Sequence, residues 1–226
     1  MDFVFQVRPS DAPLVERVWR THSERAGSFI STAASQWEMV LMSYQGQTQF
    51  VLRGPATKAR VVDFPAEAEF FGIVFELGTF IPHLPTVDRL NGNDVTLPAS
   101  TGKKFWLNSS AWQFPDYDNA DTFVTRLVRE RVLVRDPVVA AVLQDQPHAV
   151  SVRSLQYRFL RSTGLSRKVI QQIERARRAS ELIGQGTPIL DAVNETGYFD
   201  QAHLTNALKR FVGQTPVQIT RRRPPR

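Results

Sequence analysis

After Asp136 the chain is a succession of short apolar segments of helical period, each preceded by a capping residue or followed by glycine. Ser, Thr and Asp accept hydrogen bonds from the free amides that begin a helix, and glycine adopts the left-handed backbone that ends one. The pattern predicts that everything after Asp136-Pro137 is helical. The predicted helices cover 137–143, 152–162, 167–183, 188–195 and 201–212, with a last short helix after Thr215-Pro216.

Residues 188–212 fit a helix-turn-helix unit, which needs a short helix, a tight turn and a second helix with one buried face. Gly197 supplies the turn. Leu204, Leu208 and Phe211 recur at i, i+4 and i+7 and form the predicted buried stripe of the second helix. Polar groups near its N-terminus suit base edges, and cations further along suit phosphates. The predicted outer face carries Gln201, Ala202, His203, Asn206, Lys209 and Arg210.

A second candidate recognition helix lies upstream, at residues 152–162. Its predicted buried stripe is Val152, Leu155, Phe159 and Leu160. We expect helix 167–183 to hold the two recognition helices about 34 Å apart, one turn of B-DNA. From spacing alone, a helical bundle with a solvated charged face is an equal alternative. The outward residues of this helix are Arg153, Ser154, Tyr157, Arg158 and Arg161, with Gln156 on the flank.

The positive charge of the chain is confined to the same region. The net charge is +6, and residues 136–226 hold 14 Lys and Arg against 7 Asp and Glu, whereas residues 1–135 hold 14 against 15. An excess confined to one segment indicates a polyanionic partner, nucleic acid first and an anionic membrane surface second. The arginine tail after residue 220 adds to this excess, although such tails are usually solvated.

Residues 1–117 read as β-rich. Short runs of Val, Phe and Leu at 37–43, 48–54, 59–64 and 70–77 are separated by Gly, Pro or polar clusters, which predicts antiparallel hairpins closing into a barrel or sandwich. Residues 11–22 fit a helix or a strand equally well. The pattern after Asn91-Gly92-Asn93 is irregular to about Tyr117, and a helix over 119–134 is expected to close this region.

The composition excludes several kinds of site. The chain has no cysteine, which removes disulfides, thiolate zinc sites and cysteine nucleophiles. Its four histidines, at 22, 83, 148 and 203, are too scattered for an ordinary metal site. No apolar run is long enough to span a membrane and the N-terminus lacks a secretory pattern, so we expect a cytoplasmic protein.

Two stretches of the helical region carry a resemblance to a known family. The segment 197–205, Gly-Tyr-Phe-Asp-Gln-Ala-His-Leu-Thr, and the segment 208–216, Leu-Lys-Arg-Phe-Val-Gly-Gln-Thr-Pro, closely resemble the signature of the AraC/XylS transcription regulators. Residues 151–159 and 163–166 resemble that family's first helix-turn-helix. The resemblance covers about residues 136–220. It implies a seven-helix C-terminal domain with two recognition helices that binds promoter DNA.

The same resemblance assigns base-contacting positions in both recognition helices, and we assign phosphate contacts to their polar neighbours. Tyr157 and Asn206 each stand where the family often has Arg, which favours guanine, so the target sequence cannot be inferred from relatives. The implied base contacts are Arg153, Gln156, Tyr157, Gln201, Ala202, His203 and Asn206. The phosphate contacts are Ser154, Arg158, Arg161, Thr205, Lys209 and Arg210.

The N-terminal region is similar to the small cupin-like effector domains of that family. We therefore expect an α+β chain of two domains, 1–135 for sensing and 136–226 for DNA binding. Most N-terminal aromatic residues are expected in the core, but some can line an effector pocket or a dimer face. The pocket candidates are Trp37, Phe50, Phe71 and Phe75.

Two alternatives compete with an effector domain. A β-barrel enzyme would need clustered ligands or a nucleophile motif, and neither is evident, so we expect no catalysis and no cofactor. A protein-interaction module is the other alternative. The expected partners are double-stranded promoter DNA and RNA polymerase, together with an unidentified small-molecule effector and a second copy of the chain. The effector and the sign of regulation stay open.

Overall fold

The computed structural model describes residues 5–100 and 103–221, which form two compact units. Unit 1 comprises the chain up to Gly27 together with Gln36–Pro55 and Asp63–Ser166. Unit 2 comprises Ser28–Ser35, Ala56–Val62 and the chain from Arg167 onward. Of the predicted arginine tail, which begins at Arg221, residues 222–226 lie outside the described residues.

Short strands dominate the first half of the chain, as the sequence predicted. They are β1 (Gln6–Arg8), β2 (Val15–Ser23), β3 (Gly27–Ser31), β4 (Glu38–Tyr44), β5 (Gln47–Arg53), β6 (Arg60–Phe64), β7 (Ala68–Phe75), β8 (Thr79–Phe80), β9 (Val95–Leu97), β10 (Ala99–Ser100), β11 (Lys104–Leu107), β12 (Ser110–Gln113) and β13 (Val134–Arg135).

Unit 1 is built on a six-stranded antiparallel sheet in the order β1-β2-β7-β4-β5-β9. Val18, Ile73, Met39 and Leu52 form one row across four of its strands, and all four are fully buried. The core that they join also contains apolar residues of β11, β12 and the helix α1 (Ala120–Arg129), including Phe105, Trp112, Phe123 and Leu127. The core of unit 1 is therefore formed by the main sheet together with β11, β12 and α1.

The expectation of a closed cupin-like barrel is wrong. Within the described residues the main sheet is open, because β1 and β9 are its two edges and each pairs with one neighbour. Both edge strands are only three residues long. The three-stranded sheet β10-β11-β12 and α1 supply the core residues that opposite barrel strands would otherwise contribute.

Two stretches differ from the sequence interpretation of the β-rich region. Most of the ambiguous segment 11–22 lies in β2, which is a strand because it pairs antiparallel with β7 from Val15 to Ser23. The segment called irregular, 93–117, contains β9 to β12. These strands have two to four residues, too few for a periodic signal, and β11 and β12 are joined by Asn108-Ser109, both with positive φ.

The helices of the second half follow the predicted pattern closely. They are α2 (Pro137–Leu143), α3 (Val152–Thr163), α4 (Arg167–Gln185), α5 (Ile189–Glu195), α6 (Gln201–Phe211) and α7 (Pro216–Arg221). The described residues contain the expected number of seven α-helices, but six of them follow Asp136, and α1 precedes it rather than belonging to the predicted C-terminal bundle. No helix of the described residues is both long and apolar enough to cross a membrane.

Candidate nucleic-acid interface

The helices α5 and α6 and the turn between them form the predicted helix-turn-helix unit, in unit 2. Gly197 has φ +68° with open space where a Cβ would stand, so backbone conformation alone selects glycine at this turn. Asp200 caps α6, because its carboxylate accepts a 2.7 Å hydrogen bond from the amide of His203. The chain therefore turns sharply and starts α6 at a fixed residue.

The inner face of α6 is the predicted apolar stripe. Leu204, Leu208 and Phe211 are buried and α6 packs on α4. The long helix α4 supplies a matching buried row and also contacts α5 and α7. That row consists of Ile170, Ile173, Ala176, Ala179 and Ile183.

The outer face of α6 is available to a partner. All six predicted outward residues of α6 are exposed, and Thr205 on its flank is half-buried. Gln201 is exposed as the first residue of the helix, and the other five lie away from the apolar stripe because successive residues of a helix turn by about 100°. The amide-bearing residues lie in the first two turns and the cations in the last turn, which is the order that base edges and phosphates require. The exposed residues are Gln201, Ala202, His203, Asn206, Lys209 and Arg210.

Tyr198 holds the turn before α6 in place. Its ring meets the His203 ring edge-on at 5.1 Å between centroids, and the Arg175 guanidinium of α4 lies 4.5 Å from its centroid. Burial raises the pKa of the Tyr198 hydroxyl although Arg175 opposes the shift. The phenol therefore stays neutral and acts as an aromatic spacer between α4 and the start of α6.

Two carbonyl groups at the C-terminal end of α6 accept hydrogen bonds from two stretches in the first third of the chain. The amides of Ala33 and Ala59 donate 2.7 Å hydrogen bonds to the carbonyls of Phe211 and Arg210, respectively. A helix leaves its last four carbonyls without internal partners, so these bonds fill a need that every helix has. Gly213 follows with φ +76°, and a Cβ there would lie 2.7 Å from Cγ2 of Ile30.

The first candidate recognition helix, α3, lies in unit 1. Ser151 caps it through a 3.2 Å bond from the amide of Ser154, and Gly164 ends it with φ +70°. Its predicted buried stripe is partly wrong: Phe159 is buried, but Val152 is 73% exposed and Leu160 is 44% exposed. Ser162 and Thr163 are buried instead, each with its hydroxyl bonded to a carbonyl four residues earlier.

The implied base-contacting residues of α3 are open to solvent, and two of its proposed phosphate contacts already have partners. Arg153, Gln156 and Tyr157 are exposed, and Ser154 is half-buried. Arg158 pairs with the buried Asp136 at 3.0 Å, and the Arg161 guanidinium lies 5.7 Å from the centroid of the Phe80 ring. Asp136 also caps α2 by accepting from the amides of Val138 and Val139.

The four predicted pocket aromatics belong to the core of unit 1. Trp37, Phe50, Phe71 and Phe75 are buried in one hydrophobic cluster. Phe71 also lines an open cleft of about 700 Å³, which the sequence interpretation did not find. Reading β2 as a strand would have placed Arg20 and His22 on one face of the sheet, and both line this cleft. Its other lining residues include Gln6, Glu24, Leu41, Ser43, Glu69, Phe70, Asp116 and Tyr117.

The cleft combines polar and apolar walls. The Arg20 Nε donates a 2.7 Å hydrogen bond to Gln6, and the guanidinium lies 4.4 Å from the centroid of the Tyr117 ring. Leu41 and Phe71 are cross-strand neighbours on its floor. The described residues contain no group of three His, Asp or Glu side chains able to hold a metal ion.

Comparison with known proteins places the helical region in a recognised class. Residues 148–222 match a family model described as a helix-turn-helix domain. The chain is 33% identical over 92 residues to the HTH-type transcriptional regulator RipA of Corynebacterium glutamicum. This match covers 40% of the chain and 28% of that relative. No solved structure matches the chain significantly.

Proposed function

We propose that this chain, an AraC family regulator by its helix-turn-helix domain, binds promoter DNA sequence-specifically and changes transcription in response to a signal received by its β-rich part. The carrying observation is the two-sided character of α6. Its apolar stripe is buried against α4, while its amides, imidazole and cations are exposed. A helix that is fixed on one face and polar on the other is what a major groove accepts.

In this proposal residues 136–226 are the DNA-binding region and residues 1–135 are the sensing region. Gln201, Ala202, His203 and Asn206 contact base edges from α6, and Arg153, Gln156 and Tyr157 do so from α3. Phosphate contacts come from Ser154, Arg158, Arg161, Thr205, Lys209 and Arg210. The net charge of +7 over residues 136–226 supports binding to a polyanion. We expect a cytoplasmic, non-enzymatic protein that acts on RNA polymerase, alone or as a homodimer.

The regulatory part of the proposal rests on the contacts at the end of α6. Ala33 and Ala59 belong to the stretches 28–35 and 56–62, which join β3 and β6 to the same compact unit as α6. Along the chain, β3 begins four residues after β2 ends, and β7 begins four residues after β6 ends. The cleft residues His22, Glu24 and Glu69 lie at these junctions. We place effector binding in the cleft, from which a change in β2 or β7 reaches α6 through β3 and β6.

Selection of duplexes from a random library by the purified full chain tests DNA recognition. We expect a discrete enriched sequence whose binding weakens steeply with salt, as phosphate contacts require. Binding without enrichment of any sequence would contradict the proposal, because a charged bundle alone binds DNA non-specifically.

A pair of variants tests the regulatory link without requiring the effector. Ile30→Ala removes the side chain that lies against Gly213, whereas Val61→Ala, on the same pair of strands, removes an exposed one. We expect Ile30→Ala to change affinity for the selected duplex several-fold and Val61→Ala to leave it unchanged. Equal affinities for the wild-type chain and both variants would contradict the proposed coupling to α6 through β3 and β6.

A further inference from the structure

Phe199, in the turn before α6, has a side chain that is 91% exposed. This is the largest exposed fraction among the exposed large hydrophobic residues of the described chain, the next being Val152 at 73%. The two neighbours of Phe199 have structural roles: Tyr198 is buried, and Asp200 caps α6. An apolar ring held in water at this position calls for a physical explanation.

Phe199 does not make the packing contact that a hydrophobic residue before a helix usually makes. A hydrophobic residue just before the N-cap often packs against the fourth residue of the helix, which in α6 is Leu204. Leu204 is fully buried by other groups, while the Phe199 ring stays in solvent. Tyr198 supplies the aromatic packing of the turn through His203 and Arg175. The fold of the turn therefore does not require the Phe199 ring.

The position of Phe199 determines what it can meet in a complex. It lies two residues before Gln201, at the N-terminal end of α6. The residues of a recognition helix that contact base edges are found at this end. A benzyl group forms no hydrogen bond with a phosphate, but the C5 methyl of thymine is the apolar feature of the major groove, and Phe is suited to contact it. Ala202, three residues along the chain, is small and exposed.

We propose that Phe199 is a specificity-determining residue that contacts the C5 methyl of a thymine in the target duplex. This inference rests on the proposed function, since it requires α6 to enter the major groove. Phe199 would add an apolar contact to the hydrogen bonds that α6 is proposed to make with base edges. The target should therefore contain a thymine at the edge of the segment read by α6.

Deoxyuridine substitution tests the contact directly, because deoxyuridine pairs like thymidine but lacks the methyl group. The full chain first selects its target from random duplexes, and each thymine is then replaced singly by deoxyuridine. We expect one replacement to weaken binding of the wild-type chain about fourfold, the value of one buried methyl group. The Phe199→Ala variant should bind the two duplexes equally, and Phe199→Leu should keep part of the difference.

Val217→Ala serves as the matched control, since Val217 is also exposed and lies on α7. It should discriminate thymidine from deoxyuridine like the wild-type chain. If Phe199→Ala keeps the full difference at every thymine, or weakens all duplexes equally, the inference is wrong. If Phe199→Ala binds DNA like wild type but no longer affects transcription, the ring meets a protein partner and the inference is also wrong. If the wild-type chain selects no sequence, the proposed function itself fails.

Discussion

The backbone amide of Ala59 donates a 2.7 Å hydrogen bond to the carbonyl of Arg210, the penultimate residue of α6. Ala33 makes the same contact with Phe211, so two separate stretches of the chain share the end of one helix. Because these carbonyls have no partner within the helix, their bonds define where the end of α6 lies. The orientation of the proposed recognition helix is thus coupled to residues near positions 33 and 59.

Gly213 and Gly197 provide a matched test of this junction. Both have a left-handed backbone, but a Cβ at Gly213 meets Ile30 and Ala59, whereas a Cβ at Gly197 meets nothing within 4 Å. We expect Gly197→Ala to lower the free energy of unfolding by about 1 kcal/mol, the cost of the backbone conformation. Gly213→Ala should cost at least about 1 kcal/mol more, because Ile30 must also move. Urea unfolding of the full chain measures both values.

Ile30→Ala supplies the control for that comparison. In its background much of the excess cost of Gly213→Ala should disappear, since the nearest atom, Cγ2 of Ile30, is gone. If the excess is the same in both backgrounds, Ile30 does not lie against Gly213 in solution.

The proposed phosphate contacts should differ in strength according to their existing partners. Lys209 is exposed at the last turn of α6, whereas Arg158 is paired with Asp136. We expect Lys209→Ala to reduce the slope of log affinity against log salt by about 1. Arg158→Ala should reduce it by less, because contact with a phosphate competes with Asp136. Binding titrations at several salt concentrations compare them, and a larger change for Arg158→Ala would contradict the pairing.

Asp136 should stabilise the start of α2 in two separable ways. It caps the amides of Val138 and Val139 through one oxygen and pairs with Arg158 through the other. Asp136→Ala loses both interactions and should destabilise the chain by about 2 kcal/mol. Asp136→Asn keeps a capping oxygen and should cost roughly half as much. Urea unfolding distinguishes the two variants, and equal losses would mean that the cap contributes little.

Glu38 should make stability depend on pH in the direction opposite to most carboxylates. Burial raises its pKa, although Arg53, the 2.6 Å bond from the Trp19 indole and Arg17 oppose the shift and Asp94 adds to it. The folded state therefore holds this proton more tightly than the unfolded state, and stability falls as pH rises through the folded-state pKa. Glu38→Gln, which keeps an acceptor for Trp19, should lessen that fall.

Unfolding free energies of wild type and Glu38→Gln, measured from acidic to neutral pH, test this prediction. Their difference isolates Glu38 from the other titrating groups. A larger advantage of the wild-type chain at neutral pH than at acidic pH would show that the pair with Arg53 outweighs burial.

Local signals in the sequence were sufficient for the helical half of the chain. The caps at Ser151 and Asp200 and the left-handed glycines at 164, 197 and 213 act within a few residues, so they can be read without knowledge of the fold. The buried stripe of α6 is equally local. The buried stripe of α3 could not be predicted from local signals. Val152 and Leu160 have the right spacing, but no element of the described structure buries them.

The remaining features depend on residues distant in sequence. Nothing near Ala33 or Ala59 indicates that their amides meet α6, more than 150 residues away. The open main sheet could not be told from a barrel, because closure depends on whether β1 and β9 meet. The cleft likewise requires the register that places Arg20 beside Phe71 and Leu41. The periodicity of the sequence identifies helices and strands, but which of them pack or pair with each other depends on the folded chain.

Asn206 and Asn194 offer the most direct test of the claim that the outer face of α6 reads DNA. Both are exposed asparagines in unit 2, one on α6 and one on α5. Sequence selection with Asn206→Ala should lose discrimination at one position of the target by about tenfold, the value of a side chain that contacts a base. Asn194→Ala should select the wild-type sequence unchanged. Identical selected sequences for the wild-type chain and Asn206→Ala would contradict the account.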